Sequence, residues 1–421
     1  MAHIAEATSV ATDVDSIPLD RIDVSNPELY ERDTWRPLFA RLRKEDPVHY
    51  CEHSRFGSYW SVTRFNHIMA VETQPLIYSS EPTVAIGDPQ PGQEVEAFIA
   101  RDGAPHANQR RVVQDAVAPR NLALLEALIR QRAGSILDSL PVGETFDWVS
   151  HVSIELTIQM LATLFDFPWE KRSKLTYWSD ISTSLEEATG SDLYTPEERF
   201  MGLMECAAVF SDLFRERMEK PRTDRLDFLT LLAHDPHTRD LLDRPRELLG
   251  NIMLLIVGGN DTTRNSISGG VLALNQNPGE YQKLRANPAL IPNMVSEIIR
   301  WQTPVLHFRR TATCDTQLGD KTIRKGEKVV MWYISGNRDE SVIEQPDEFR
   351  IDRSNARHHV SFGFGPHRCM GNRLAEMQLR VLWEEILKRF DYVEAVGPAE
   401  RLRSNLIRGI TRLPVRVHPK R

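Results

Sequence analysis

The stretch that decides the fold is FGFGPHRCMG, which runs from Phe362 to Gly371 and contains Cys369. The residues that follow, 374–390, have the apolar spacing of a helix. A cysteine just before a helix lies where backbone N–H groups and the helix dipole favour a thiolate, the form that binds metals. An isolated cysteine is more often a small buried apolar residue. The glycine-rich setting, which allows close approach of the backbone, favours a metal ligand here.

The composition is that of an ordinary globular protein, with 41% hydrophobic and 26% charged residues and a formal net charge of −7 over 421 residues. This balance argues against a nucleic-acid partner, and no run approaches the roughly 18 apolar residues of a membrane span. The polar N-terminus is unlike a signal peptide, so a cytoplasmic protein is expected. The four cysteines include no CxxC pair, which argues against an iron–sulfur cluster or a zinc ribbon.

Most of the chain has helical apolar spacing, with short β-like segments near both ends. A long helix is predicted from about residue 243 to residue 278, which at 1.5 Å per residue would cross the molecule. The other predicted segments are a flexible tail at 1–25, strands at 47–51 and 58–64, a hairpin at 321–333 turning at Lys325-Gly326, and short strands in 403–417. This order favours an α+β fold, predominantly α, with 26–421 as a single domain.

The middle of the predicted long helix contains the unusual segment Gly258-Gly-Asn-Asp261-Thr262-Thr263. Each glycine there costs about 1 kcal/mol of helix stability relative to alanine. A polar Asp–Thr pair directly after an apolar run is also unusual for a buried helix. The simple interpretation is a kink with a Ser/Thr back-bond. Two unfavourable choices in one place more often indicate a functional reason.

The pattern FxxGxxxCxG, complete between Phe362 and Gly371, resembles the haem-ligand signature of the cytochrome P450 family. Further similarity extends over nearly the whole chain in the family's order. The resemblance implies the cytochrome P450 fold and haem b, iron protoporphyrin IX, with Cys369 as the axial ligand and Phe362 beside the cofactor. A thiolate ligand donates electron density to iron and favours O–O cleavage. The chain is therefore expected to be a haem-thiolate monooxygenase that hydroxylates unactivated C–H bonds.

The resemblance gives the polar segment of the long helix a role in oxygen activation. Gly258 would let the helix open over the iron, Thr262 would donate a hydrogen bond to dioxygen, and Asp261 would supply protons. The same pair counts against a non-catalytic haem protein that only binds or senses a small molecule, because a binder needs no proton relay.

An ExxR motif, Glu297 and Arg300, together with Arg353, matches the family's structural triad. A lone Glu–Arg pair at this spacing is commonplace on helices. In the family's order, the three side chains are expected to form a buried ion network that holds the cysteine loop.

Four cations match family positions that contact the haem propionates, although each alone is more often a surface or internally paired residue. They are His106, Arg110, Arg310 and His359. The family usually has Asp-x-Pro-x-His before the first of them, whereas this chain has Asp102-Gly-Ala-Pro105-His106. The displaced proline leaves the start of that helix open.

Within the family, segments 254–266, 294–304, 322–333 and 361–380 resemble soluble bacterial hydroxylases of the terminal carbon of alkanes and fatty acids. The alternative substrates are sterol side chains and terpenes. By family position the pocket would be lined, besides Gly258, by Ile86, Phe98, Leu255, Val257, Val305, Leu306, Leu406 and Ile407. An apolar lining suits a hydrocarbon. It also discriminates poorly between chain lengths, since a methylene is worth only about 1 kcal/mol.

The chain has neither a GxGxxG after a strand nor an iron–sulfur spacing, so its electrons must come from elsewhere. The resemblance implies a ferredoxin and an NAD(P)H-dependent ferredoxin reductase as partners, with O2 as co-substrate. A basic docking face is predicted at Arg111, Arg368, Arg373 and Arg380, with solvated helix charges as the equally weighted alternative.

Overall fold

The computed structural model of the protein describes residues 14–89, 96–184, 194–221 and 226–420. The α-helices are α1 Glu28–Glu31, α2 Arg36–Glu45, α3 Phe65–Glu72, α4 Gly103–Gln114, α5 Pro119–Asp138, α6 Glu155–Phe165, α7 Ser173–Thr183, α8 Pro196–Glu219, α9 Phe228–His234, α10 Pro245–Gln276, α11 Pro278–Ala286, α12 Ile291–Gln302, α13 Tyr333–Gly336 and α14 Asn372–Arg389.

The strands form a five-stranded mixed sheet and three small sheets. They are β1 Val48–Cys51, β2 Tyr59–Val62, β3 Tyr78–Ser79, β4 Phe146–Asp147, β5 His307–Ala312, β6 Thr316–Leu318, β7 Lys321–Ile323, β8 Lys328–Trp332, β9 Phe390–Ala395, β10 Glu400–Arg401, β11 Ile410–Arg412 and β12 Pro414–Pro419. The large sheet has the order β1-β2-β8-β5-β3, in which only β2 and β8 are parallel. The predicted α+β class, predominantly α, is confirmed.

Helix α10 organises the helical body, and its predicted extent is confirmed within two residues. It begins with Pro245 at its first turn and ends before Asn277-Pro278. Its 32 residues span about 48 Å at 1.5 Å per residue. It packs against α6, α7, α8 and α12, so a side chain at its centre lies deep inside the protein. In the described part of the chain, no helix is long and apolar enough to span a bilayer.

The predicted hairpin at 321–333 is wrong in its pairing. Gly326 turns the chain with a φ of +88°, as expected. However, β7 pairs with β6, while β8 enters the large sheet between β2 and β5. The reason lies in β8 itself, because Val329 to Trp332 are all fully buried. A strand that is apolar on both faces is stable where both faces are covered, and this is typical of a central strand of a sheet.

The flexible tail predicted at 1–25 is wrong for residues 14–25, and residues 1–13 lie outside the described part. Two 3₁₀ turns, Val14–Ser16 and Leu19–Arg21, lead to Ile22 and Val24, which are buried. These two side chains join an apolar cluster beneath the large sheet with Trp332. The single domain at 26–421 stays a prediction.

Candidate active site

The cysteine loop is a tight, internally bonded turn that ends at the start of α14. The Cys369 amide donates to the Phe362 carbonyl at 2.8 Å. Gly363 and Gly365 have φ values of +64° and +65°, a region that glycine adopts without strain. A Cβ added to Gly365 would also overlap the backbone carbonyl oxygen of Glu72. The predicted need for glycine thus has two sources, backbone conformation and a close neighbour.

The Cys369 thiol combines an exposed surface with strong desolvation. Its side chain is exposed, yet burial raises its pKa, while the amides of Gly371 and Asn372 and the charges of Arg110 and Arg368 act in the opposite direction. Both observations hold if the exposed surface faces the interior of the protein. The effect predicted for the helix start is therefore present but smaller than that of burial. A metal would remove the thiol proton outright.

A buried glutamate that no sequence pattern singles out supports the cysteine loop. Glu72 ends α3 and is 4% exposed. Its carboxylate accepts from the Phe364 amide at 2.5 Å and from the Tyr333 hydroxyl at 2.6 Å. Arg310 lies 3.9 Å away. Burial raises the pKa of Glu72, and Arg310 and the two hydrogen bonds oppose this. The carboxylate therefore joins α3, α13 and the cysteine loop.

The structure brings Glu297, Arg300 and Arg353 together in a fully buried network. Arg300 donates from Nε at 2.8 Å and from Nη2 at 2.7 Å to the two carboxylate oxygens of Glu297. Arg353 Nε lies 3.2 Å from the same carboxylate. The remaining guanidinium protons reach backbone carbonyls, such as those of Asn337 and Glu348. Satisfied in this way, the ions avoid the penalty of burying an unpaired charge.

Asn337 and Ser361 carry this network to the cysteine loop, and sequence reasoning missed both. The side chain of Asn337 accepts from the Val360 amide and donates to the Ser361 hydroxyl, each at 2.8 Å. The Ser361 hydroxyl in turn donates to the Ile299 carbonyl on α12 at 2.9 Å. The start of the loop is thus tied to α12 through neutral side chains whose role no local pattern reveals.

The centre of α10 is open on one side. Gly258 is exposed although it lies in the middle of a helix that crosses the core, and a Cβ there would meet no atom within 4 Å. Thr262 is half-buried and donates to the Gly258 carbonyl at 2.8 Å. The back-bond of the simple interpretation is therefore present, and the helix remains continuous. Val257 on α10 and Phe362 and Met370 in the cysteine loop contact the same apolar cluster.

Asp261 lies against α7, where its carboxylate meets Ser179 of that helix. It is 1% exposed. Its carboxylate lies 2.7 Å from Arg264 and accepts from the Ser179 hydroxyl at 3.2 Å. Burial raises its pKa, Arg264 lowers it, and Asp180 raises it further. In the described part of the chain, no hydrogen bond joins Asp261 to the Thr262 hydroxyl.

Two of the predicted propionate cations, His106 and Arg110, lie on α4 against the cysteine loop. The ring nitrogens of His106 lie 2.8 Å from the Phe98 carbonyl and 3.2 Å from the Pro366 carbonyl. Arg110 donates to the Arg368 carbonyl, and burial lowers its pKa against the effect of Cys369. Because both nitrogens of His106 meet backbone carbonyls, this residue braces the loop, and only Arg110 keeps donors for an anion.

The other two, Arg310 and His359, come from β5 and from the segment before the loop. Arg310 donates from Nη1 to the carbonyl of Arg309 at 2.9 Å. His359 accepts from the Ser361 amide at 3.3 Å. Burial lowers the pKa of His359 to about 3, and neighbouring cations add to the shift. His359 is therefore a neutral imidazole at neutral pH.

His367, inside the cysteine loop, is a further candidate that sequence reasoning missed, although its position within the motif could have singled it out. Its ring lies 3.9 Å from that of His106, and its Nε2 lies 3.0 Å from the Ser80 hydroxyl. Its buried Nδ1 has no partner in the described part of the chain. Asp102, whose carboxylate lies 3.8 Å from His367 Nε2, precedes α4 without a side-chain capping hydrogen bond, and Gly103 begins the helix at a φ of +56°. The displaced Pro105 therefore does not disturb the start of α4.

The predicted pocket residues fall into two groups. Val257, Val305 and Leu406 are half-buried and keep surface for a ligand. The rest are at least 95% buried: Ile86, Phe98, Leu255, Leu306 and Ile407. Leu306 has no exposed surface and packs with Trp332 beneath the sheet. Its surroundings favour a core role over a pocket wall.

The predicted basic face is only partly available. Arg111, Arg368 and Arg373 are exposed. Arg380 is paired with Glu126 at 2.9 Å and with Glu384 at 2.8 Å. Three of the four cations can therefore meet an acidic partner without first breaking an ion pair of this kind.

The residues present fit an iron porphyrin. Three features lie on the elements that the resemblance predicts. They are a thiol with an exposed surface, a glycine opening at mid-helix, and a buried histidine nitrogen that has no hydrogen-bond partner among the residues that the structure describes. A single cysteine thiolate is one of the ligands by which proteins hold haem iron.

Comparisons with known proteins agree with this geometry. The family model for cytochrome P450 matches residues 192–417. Linalool 8-monooxygenase from Pseudomonas putida is 36% identical over 416 residues, which cover 96% of this chain and 100% of that protein. A methyl-branched lipid omega-hydroxylase from Mycobacterium tuberculosis is 30% identical, covering 97% and 98%. The solved structure of cytochrome P450-153 from Novosphingobium aromaticivorans superimposes with a TM-score of 0.88 at 44% identity, covering 94% and 99%.

Proposed function

The chain belongs to the cytochrome P450 family and is a monooxygenase with haem b as its cofactor, and we propose that it hydroxylates the terminal methyl group of medium-chain alkanes or fatty acids. The observation that carries this substrate class is the chemistry of Val257, Val305 and Leu406, the predicted pocket residues that keep exposed surface. All three are apolar, so a substrate would gain affinity by burying hydrocarbon. Similarity to a protein named as a lipid omega-hydroxylase supports oxidation at a chain end.

The chain's own residues would then hold and orient the reactants. Haem b, when bound, supplies the activation of O2 from which one oxygen atom enters the C–H bond. Cys369 would bind its iron through the thiolate, and Arg110 and Arg310 would hold its propionates. Thr262 would pass a proton at its hydroxyl oxygen, and Asp261 would resupply it from the α7 side.

Terminal selectivity needs a geometric cause, because a terminal methyl C–H bond is stronger than an internal one. Holding the chain end-on would provide it. Val257, next to Gly258, and Val305, which forms a β-bridge with Ile407, are the proposed walls. Leu306 is left out of this set because it has no exposed surface.

A terpene alcohol is the second candidate substrate. It is favoured by the 36% identity to linalool 8-monooxygenase over that protein's whole length. The hydrocarbon part of a branched terpene would meet the same apolar side chains, so chain branching is the feature of shape that separates the two candidates.

Electrons would come from a ferredoxin reduced by an NAD(P)H-dependent reductase. The exposed Arg111, Arg368 and Arg373 lie on α4, the cysteine loop and α14, and they would meet an acidic ferredoxin.

A substrate panel tests the substrate class directly. Medium-chain alkanes, fatty acids, linear alcohols and terpene alcohols are titrated into the ferric protein, and the shift of the Soret band from low spin to high spin reports occupancy. Products are then identified by mass spectrometry. Hydroxylation at the terminal carbon of a linear chain supports the first candidate. Turnover of terpene alcohols alone supports the second.

A further inference from the structure

The bend at residues 404–407 carries the pocket residue Leu406 and packs against the segment that carries Val305. The Leu306 amide donates to the Leu406 carbonyl at 2.9 Å. Val305 forms a β-bridge with Ile407. Leu406 and Val305 are both half-buried, and their separation therefore depends on how the bend is held against the start of β5.

A buried histidine holds this bend. His307, the first residue of β5, has no exposed surface, and its Nδ1 lies 2.8 Å from the Asn405 carbonyl oxygen. Because a carbonyl oxygen can only accept, Nδ1 carries the proton and donates. Burial lowers the pKa of His307 to about 4, against the effect of the hydrogen bond to Asn405. The ring is therefore neutral at neutral pH, and its other nitrogen, Nε2, is an acceptor.

The side chain of Asn405 ties the same bend to the N-terminal segment. Its Nδ2 donates to the Ser25 carbonyl at 2.9 Å, so the amide oxygen, Oδ1, is a second acceptor. Asn405 and Ser25 are 1% and 0% exposed. Ser25 follows Val24, which belongs to the apolar cluster beneath the large sheet. The bend is thus tied on one side to β5 and on the other to the N-terminal segment.

Each of these three residues has a buried polar atom without a hydrogen-bond partner among the residues that the structure describes. The atoms are His307 Nε2, Asn405 Oδ1 and Ser25 Oγ. Buried polar groups are nearly always hydrogen-bonded, to protein or to ordered water. Two of the atoms can only accept, whereas the serine hydroxyl can donate. A water molecule has the matching set, since it donates twice and accepts, and about three hydrogen bonds are usual for a buried water.

We propose that these three side chains bind one buried water molecule, and that the site they form positions Leu406 against Val305. The water would donate to His307 Nε2 and Asn405 Oδ1 and accept from Ser25 Oγ. The three groups are neutral, so a neutral ligand fits them better than a buried cation without a counter-charge. His307 and Asn405 are then positioning residues. This part of the inference rests on the proposed function, in which the spacing of the pocket residues holds a chain end-on.

Two variants of the full-length holoenzyme separate the contacts of His307. His307→Asn keeps a donor near the position of Nδ1 and has no atom at the position of Nε2. His307→Phe removes both nitrogens and keeps a ring beside Trp332, whose centroid lies 4.8 Å from that of His307.

His49→Phe is the matched control. His49 is also buried, with its ring nitrogens 2.9 Å from the Asp46 carboxylate and 3.2 Å from the Ile22 carbonyl. It lies on β1, which β2 and β8 separate from β5. Its replacement removes two polar contacts of a buried histidine without touching the bend.

The first readout is the crystal structure of each holoenzyme, in which the water and its partners are seen directly. The second is the ratio of terminal to subterminal product from a medium-chain fatty acid. Thermal unfolding measures the stability that any buried histidine contributes.

Wild type should show one water within hydrogen-bond distance of all three atoms. His307→Phe and His49→Phe should both unfold at lower temperature. Only His307→Phe should displace Leu406 and lower the terminal product ratio, by roughly tenfold, the discrimination that contact with one methylene provides. His307→Asn should keep the wild-type ratio, because it still donates to the Asn405 carbonyl.

A wild-type structure in which no water bonds to these three atoms overturns the water site. Equal product ratios in His307→Phe and His49→Phe overturn the positioning role. If wild type forms no terminal product from any linear chain, the proposed substrate class fails. The crystal structures then decide the inference separately, through the water in wild type and the place of Leu406 in His307→Phe.

Discussion

Replacing Gly365 by alanine should lower the free energy of unfolding by more than the backbone strain at that position alone. At a φ of +65°, an alanine pays the left-handed penalty of about 1–2 kcal/mol. Its Cβ would also overlap the Glu72 carbonyl oxygen. Because that oxygen belongs to the backbone of α3, the overlap must be relieved by moving the loop, and overpacking of this kind costs about 1–3 kcal/mol. The expected loss in the free energy of unfolding is therefore about 2–5 kcal/mol.

Gly326 separates the two contributions. Its φ is +88°, and a Cβ there would meet nothing within 4 Å. Gly326→Ala should therefore lose only the left-handed penalty of about 1–2 kcal/mol. Both variants are unfolded in urea, and the ferrous–CO spectrum is recorded to show whether the thiolate band shifts. Equal losses for the two variants, with normal CO spectra, would show that Gly365 does not touch α3 and would refute the reasoning.

Three further predictions follow from the site. Cys369→Ser should lose the red-shifted ferrous–CO Soret band of a thiolate-ligated haem, whereas Cys314→Ser, at an exposed cysteine outside the loop, should keep it; retention in both would remove Cys369 as the ligand. Leu306→Ala should cost about 2–5 kcal/mol of stability and leave the ratio of terminal to subterminal product unchanged. Val305→Ala should cost less stability and move hydroxylation toward the subterminal carbon. The reverse pattern would identify Leu306 as a pocket wall. Burial acts to raise the pKa of Asp102, but the nearby His367 imidazole and hydrogen bonds from the Ser79 hydroxyl and the Ser80 amide outweigh it and lower the pKa to about 2. The stability that this carboxylate contributes is therefore present above its unfolded pKa of roughly 3.9 and is lost as the pH falls toward 2. The stability difference between wild type and Asp102→Asn should therefore narrow across that interval, and a constant difference would contradict the assignment.

The features that local sequence determines were predictable. The limits of α10 follow from Pro245 and Asn277-Pro278, and the cysteine loop follows from its glycines and from the helix after it. Which strands pair with each other is not a local property. For this reason the sequence predicts the turn at Gly326 correctly but the strand pairing of 321–333 wrongly. The sequence shows that β8 is apolar but not that β2 and β5 enclose it.

The residues that stabilise the cysteine loop could not be predicted from the sequence, for the same reason. Glu72, Asn337 and Ser361 have ordinary neighbours in sequence, and their importance arises only when distant elements meet. The choice between Val305 and Leu306 likewise depends on which way each residue of a bend faces. A pattern of residue types does not show which way a side chain faces. The structure distinguishes them, because Val305 is half-buried and Leu306 is fully buried.

The hydrogen bond between Glu72 and the Phe364 amide has a consequence for biosynthesis. Its two residues are separated by 292 positions in the chain, and a new chain leaves the ribosome from its N-terminus. When α3 leaves the ribosome, the segment that must rest on Glu72 has yet to be translated. The cofactor-binding loop can therefore reach its final shape only near the end of synthesis, after Arg310 and Tyr333, the other partners of Glu72, have been made.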